Sequence, residues 1–161
     1  MSQRVPIVRR ISWPGVLPQL VAVVACILIS TAILGASSNS VAMGAFCYLA
    51  YSLGSRAVLL RQHHAGIRAT QAGQYEAATR HFQSSYEFLQ RRPWIDRYRY
   101  IVLMSPSACS FREMALVNMA VAYVQLGRGA EATVLYERAL HEFPGSVPAA
   151  SALNLIRGLE K

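Results

Sequence analysis

The hydrophobic pattern begins as an unbroken apolar run and then changes period. Leu20 to Leu34 is almost wholly Val, Ala, Ile, Leu and Cys, and a second apolar stretch runs from Val41 to Leu60 with Phe46, Tyr48 and Tyr51 inside it. Each stretch suits a bilayer-crossing helix of ~20 residues. The short uncharged turn Gly35-Ala-Ser-Ser-Asn-Ser40 separates them. Beyond residue 60 apolar positions recur every three or four residues, the period of amphipathic helices. The pattern predicts an all-α chain, with a two-helix transmembrane hairpin over 13–60 followed by a small helical array over 61–161. Only Arg56 and Arg61 interrupt the path from the second span into the array, so one continuous helix is expected over about 41–72.

Charge sharpens this picture. The 161 residues carry 16 Lys+Arg and 8 Asp+Glu, and 53% are hydrophobic. That length holds one ordinary domain and excludes a large transporter. No charged residue lies between Arg10 and Arg56, whereas a soluble domain is about one quarter charged. A purely soluble protein is thereby excluded. Arg4, Arg9 and Arg10 precede the first span and Arg56, Arg61 and Arg68 follow the second; from residue 69 onward ten bases face eight acids. The positive-inside rule then places the basic segment 1–12 and the array in the cytoplasm, with the lipid bilayer as first partner. Topology accounts for the basic excess, and no nucleic acid is needed to explain it.

Details of the spans agree. Pro14 and Pro18 stand at the start of the first helix, where a missing amide donor matters least, and Trp13 suits the interface. The apolar core is long for a signal peptide, and Leu34 spoils the small-residue cleavage pattern before Ala36. Ala42 and Ala45, with Cys47, Ala50 and Gly54, fall at helical spacing and would pack on the first span or form the seam of a homo-oligomer. Neither span holds an Asp, Glu, Lys, Arg or His in its core, which argues against an ion or proton path.

The soluble part repeats itself. Ala72-Gly-Gln-Tyr-Glu-Ala-Ala-Thr-Arg-His-Phe82 aligns with Leu126-Gly-Arg-Gly-Ala-Glu-Ala-Thr-Val-Leu-Tyr136. In the second copy Leu116, Met119, Ala120 and Tyr123 precede Gly127, and Ala132, Tyr136, Ala139, Leu140 and Pro144 follow it. In the first, Ala65, Gly66 and Ala69 precede Gly73, and Tyr75, Ala78, Phe82 and Ser85 follow. These positions resemble the tetratricopeptide (TPR) repeat, a helix–turn–helix unit of ~34 residues. The resemblance covers about 59–92 and 113–146. The first copy departs from the pattern at Gln62 and Gln90, which stand in place of a large apolar residue and the closing proline. Small residues at Gly66, Ala78, Ala120, Ala132 and Ala139 would let helices cross closely, with aromatics filling the remaining space. A last segment, 147–159, has Ser146 as candidate N-cap and resembles a TPR capping helix.

The two turn glycines lie 54 positions apart, leaving a 20-residue insertion at 93–112. It concentrates the candidate partner-binding residues Trp94, Asp96, Arg97, Tyr98, Arg99 and Tyr100, preceded by Arg91 and Arg92. Alternating Arg and Tyr can make cation–π and carboxylate pairs, and Asp96 lies within one helical turn of Arg99 and Tyr100. Two readings stay open. Trp94, Tyr98 and Ile101 plug the gap between the repeats, or the segment shapes a recognition surface for a peptide, lipid headgroup or anion. Ser110, followed by Glu113, has capping-box spacing. The run Trp94-Ile-Asp-Arg-Tyr-Arg-Tyr100, the Ser-rich turn after it and Arg112-Glu-Met-Ala-Leu116 resemble small bacterial membrane-anchored TPR proteins along most of the chain. That likeness implies a bacterial inner membrane.

The TPR resemblance also implies a binding groove on the first helix of each repeat. Here it would carry His63, Ile67, Thr70 and Gln71, then Met114, Val117, Asn118, Val121 and Gln125. Domains of this family that clamp a terminal carboxylate use Lys, Asn and Arg there; only Asn118 matches. Catalytic chemistry is absent from the pattern. Cys26, Cys47 and Cys109 make no disulfide framework, adjacent His63 and His64 cannot chelate as an i, i+4 pair, and no metal, phosphate or dinucleotide motif occurs. We therefore expect no enzyme, no cofactor and no metal. The expected role is a membrane-anchored adaptor or scaffold for a protein partner. The alternatives are a structural subunit assembled through its transmembrane helices, and a binder of anionic lipid or nucleic acid through the Arg cluster.

Overall fold

A computed structural model describes residues 16–159. The described residues are α-helical with no β-strand: α1 Leu17–Leu34, α2 Ser38–Leu59, α3 Arg61–Gln71, α4 Tyr75–Arg91, α5 Pro93–Arg97, α6 Arg99–Val102, α7 Phe111–Gln125, α8 Gly129–Glu142 and α9 Val147–Leu159. Arg4, Arg9, Arg10, Trp13 and Pro14 lie outside the described residues. The helices form two compact units, one of residues 16–60 and 97–108, the other of 61–96 and 109–159.

In the first unit α1 packs against α2. Pro18 sits in the first turn of α1, and Gly35, at φ 82°, closes that helix. Ser37 opens α2 with a reciprocal cap: its hydroxyl accepts from the Ser40 amide, and its own amide donates to Ser40 Oγ at 3.0 Å. The inward face of α2 is Ser40, Gly44 and Ser52. A Cβ on Gly44 would stand 2.6 Å from Ile27 Cα, so this glycine sets how closely the two helices approach. The small residues expected at the seam are elsewhere: Ala42, Ala45, Cys47, Ala50 and Gly54 are all exposed. The inward stripe runs at steps of four through the polar serines, which a search for small apolar residues passes over.

Outward, α1 and α2 present large apolar side chains. Leu20, Val21, Val24, Leu28, Ile29 and Ile33 of α1 are 53–75% exposed, as are Phe46, Leu49, Leu53 and Val58 of α2. By length and composition α1 is apolar enough to cross a membrane; α2, with its serines and Arg56, does not pass that test alone. The expected continuous helix over 41–72 is two helices instead. Leu60 leaves helical geometry at φ −106°, ψ 18° and ends α2, and α3 starts at Arg61. Buried positions stay in phase across the break, from Ser52 through Leu60 to His63 and Gly66, so periodicity carries no sign of it.

The second unit is a series of antiparallel neighbours in which α3 packs on α4, α4 on α7, α7 on α8 and α8 on α9. Two of its turns are the same turn. Gly73 at φ 73° lets Gln74 N–H reach Ala69 O at 2.9 Å, and Gly127 at φ 72° lets Arg128 N–H reach Tyr123 O at 2.9 Å. Both are left-handed glycine caps that satisfy the last carbonyls of a helix. The core contains Ala78, Phe82, Tyr86, Ala115, Leu116, Met119, Ala120, Ala132, Tyr136, Ala139, Ala149 and Leu153. Its alanines permit close crossings. A Cβ on Gly66 would stand 2.7 Å from the Phe82 ring, so that ring packs directly on the α3 backbone. Tyr123 is half-buried beside this core, while Pro144 lies exposed in the turn that leads to Ser146, the N-cap of α9.

Candidate functional site

The insertion does not plug a gap, because α4 and α7 pack directly on each other. Trp94, Tyr98 and Ile101, expected as the plug, are 51%, 53% and 57% exposed; Ile95, Leu103 and Met104 are buried instead. Burial here does not sort by side-chain type, since Ile101 is as exposed as the two aromatics.

In the array unit, Asp96 is buried and caps α7. Its carboxylate accepts from the Phe111 amide at 2.9 Å, from the Arg112 amide at 3.5 Å and from the Ser110 hydroxyl. Ser110 is itself the N-cap, accepting from the Arg112 and Glu113 amides at 3.2 and 3.4 Å. An anion at a helix N-terminus offsets the unsatisfied amides and the helix dipole. Arg91 and Arg92 end α4 at the surface, Arg91 near Glu87 at 3.9 Å and Arg92 over the Phe88 ring at 4.7 Å.

The remaining basic and aromatic residues of the insertion belong to the other unit. Arg99 donates to the carbonyls of Ser107 at 3.0 Å and Ala108 at 3.2 Å, and stacks over Tyr100 at 4.6 Å. Its guanidinium ties the loop together. Arg56 of α2 donates from Nε to Leu103 O at 2.7 Å and from Nη2 to Met104 O. Met104 takes a left-handed φ of 44°, which a non-glycine residue holds only when its surroundings enforce it. Arg97 and Tyr98 are exposed. The eight insertion candidates are thus divided. Asp96 and Arg99 hold the fold, Tyr100 is half-buried beneath the Arg99 guanidinium, and Arg91, Arg92, Trp94, Arg97 and Tyr98 are presented outward.

The expected groove also changes. His63 is buried rather than displayed, edge-on to the rings of Phe82 and Phe111 at 5.6 and 5.7 Å. Burial, with the neighbouring His64, lowers its pKa from 6.5 to about 4 against a smaller opposing pull from Asp96, and Nδ1 finds no hydrogen-bond partner among the described residues. What α3 and α7 do present is Ile67, Thr70, Met114, Val117, Asn118 and Val121, half-buried, with Gln71 and Gln125 exposed at the helix ends. None of these side chains carries a charge. Among the described residues no three His, Cys, Asp or Glu side chains converge as metal ligands.

The chain matches no family model, no characterised protein and no solved structure. Geometry alone therefore carries the reading.

A polar cluster missed by sequence reasoning joins three helices. Glu142 of α8 accepts from the buried Tyr86 hydroxyl of α4 at 2.6 Å, from Arg112 of α7 at 2.7 Å and from Arg138 at 3.0 Å. Burial resists ionisation of Glu142, but the three donors outweigh it and hold its pKa below the ordinary value. Burial and the Glu142 carboxylate push the Tyr86 hydroxyl up. The partners lie 30 and 56 positions apart, so no local motif announces them. The cluster braces α4, α7 and α8 rather than offering a reactive group.

Proposed function

We propose that this chain is a membrane-anchored TPR-like adaptor without catalytic activity. In this reading α1 and α2 form a transmembrane hairpin whose two flanks lie in the cytoplasm, and the helical array holds a protein partner at a bacterial inner membrane. One observation carries the anchor: α1 and α2 pack on each other through Ser40, Gly44 and Ser52 while large apolar side chains cover the outward surface of both. In water that surface would be an aggregation site, and in lipid it is solvated. The pair of identical glycine caps, 54 positions apart, supports the repeat reading of the array.

The partner surface best supported is the α3/α7 face around Ile67, Asn118, Val121 and Gln125. An extended or helical peptide would lay apolar side chains along it. A second reading, assembly through the membrane helices, draws on the exposed stripe Cys47, Ala50 and Gly54. A photo-cross-linking residue placed singly at Asn118 or Ala50 of the full chain, in native membranes, separates them. The adaptor reading expects a discrete adduct from Asn118 that disappears with Val121→Arg. An adduct from Ala50 alone supports the structural subunit and counts against the adaptor.

A further inference from the structure

The segment after α5 is bound to α2 by side chains that reach backwards. Tyr51 donates to Val102 O at 3.4 Å, and Arg56 donates to the carbonyls of Leu103 and Met104. Cα–Cβ bonds in a helix lean towards its N-terminus, so these side chains draw the segment alongside the last turns of α2 and not beyond its end. Tyr51 stands five positions before Arg56, which is about 7.5 Å along the axis at the helical rise. Helix α6 also packs on α1, which keeps the segment against the hairpin on both sides. On its free side it offers Tyr98 and Ile101, three residues apart, with the exposed Arg97 beside them. In the same unit Tyr51, Val58, Leu17 and Leu20 are exposed as well.

We infer that residues 97–104 are an interfacial foot, which lays Tyr98 and Ile101 into the headgroup–acyl boundary of the bilayer crossed by α1 and α2. The inference rests on the hairpin reading above. A hydrocarbon core of ~30 Å uses about 20 residues of helix, which places the basic end of α2 at a membrane surface. Tyrosine is enriched at that level, with its ring among the upper acyl chains and its hydroxyl in the headgroups. An isoleucine beside it adds apolar burial, and Arg97 meets phosphate. The foot bears on how deep the hairpin sits, because Nε and Nη2 of Arg56 are engaged on the segment's carbonyls and tie the end of α2 to it.

The test uses the full chain in phosphatidylcholine vesicles. Tyr98→Trp in a Trp13→Phe, Trp94→Phe background gives a single indole at position 98, read with lipids brominated either near the glycerol or near the chain end. The foot predicts blue-shifted emission, strong quenching by the shallow bromines, weaker quenching by the deep ones and little by aqueous iodide. Water-like emission quenched by iodide overturns it. Phe46→Trp in the same background reports on the hairpin itself. Deep quenching at 46 with an aqueous probe at 98 sinks the foot alone; aqueous probes at both positions sink the hairpin and the foot together.

Discussion

The Nε of Arg56 donates to the carbonyl oxygen of Leu103 at 2.7 Å, joining residues 47 positions apart. The same guanidinium reaches Met104, whose backbone is left-handed. A basic residue that charge counting assigns to topology is therefore also a clamp. Arg56→Lys keeps the charge and loses the planar fork. If charge alone mattered, the lysine variant would behave as wild type. We expect instead a local loss of about 2 kcal/mol, the scale of a charge-assisted hydrogen bond, seen as faster amide exchange at Leu103 and Ser105 and faster tryptic cleavage after Arg99.

His63 makes the array sensitive to acid. Its pKa falls from 6.5 to about 4 on folding, so the folded state favours the neutral ring. Its contribution to stability is complete above pH ~6.5 and is lost as the pH falls from there through about 4, with a ceiling of about 3 kcal/mol. His64 and Asp96, the charges nearest it, act in opposite directions. His63→Leu removes both the titration and the unpartnered Nδ1. The variant should be at least as stable as wild type at pH 7 in detergent and should lose less thermal stability on going to pH 5.

Two glycines in helices predict opposite outcomes. Gly66→Ala forces a Cβ to 2.7 Å from the Phe82 ring and should cost about 1–3 kcal/mol, several degrees in Tm. Gly129→Ala meets nothing within 4 Å in the first turn of α8. It should be neutral or slightly stabilising, because alanine restricts the unfolded chain. Circular dichroism melts of the two proteins decide the point.

Glu142→Gln keeps the shape of the three-helix brace and removes the charge that Arg112 and Arg138 share. The expected loss is about 2 kcal/mol, and Tyr86→Phe on that background should cost less than it does alone. Additive losses in the double-mutant cycle would mean that the four groups do not act as a unit.

Different parts of this architecture were legible to different degrees. The helical class, the caps at Ser110 and Ser146 and the turns at Gly73 and Gly127 follow from local chemistry, and they appear where the residues predict them. The inward stripe of α2 was hidden because Ser40 and Ser52 read as polar, although Ser40 packs as a small residue with its hydroxyl on the Gly35 and Ser37 carbonyls. The break at Leu60 was hidden because buried positions stay in phase through it. In the insertion, composition drew attention to Trp94 and Tyr98 as buried anchors. The buried anchors are Ile95 and Asp96, one apolar and one committed to the α7 amides. Aromatic content identified the segment, but only its backbone geometry could say which side faces out.

The most direct test of the anchor uses cysteine accessibility. Cys26, Cys47 and Cys109 are replaced by alanine, and single cysteines are placed by Asn39→Cys, in the first turn of α2, and by Ser151→Cys, on α9. Intact cells are treated with a membrane-impermeant maleimide. Our account predicts labelling at position 39 and protection at position 151 until the membrane is opened. Labelling at 151 in intact cells, or protection at 39 after the outer barrier is removed, would contradict a hairpin that returns the chain to the cytoplasm.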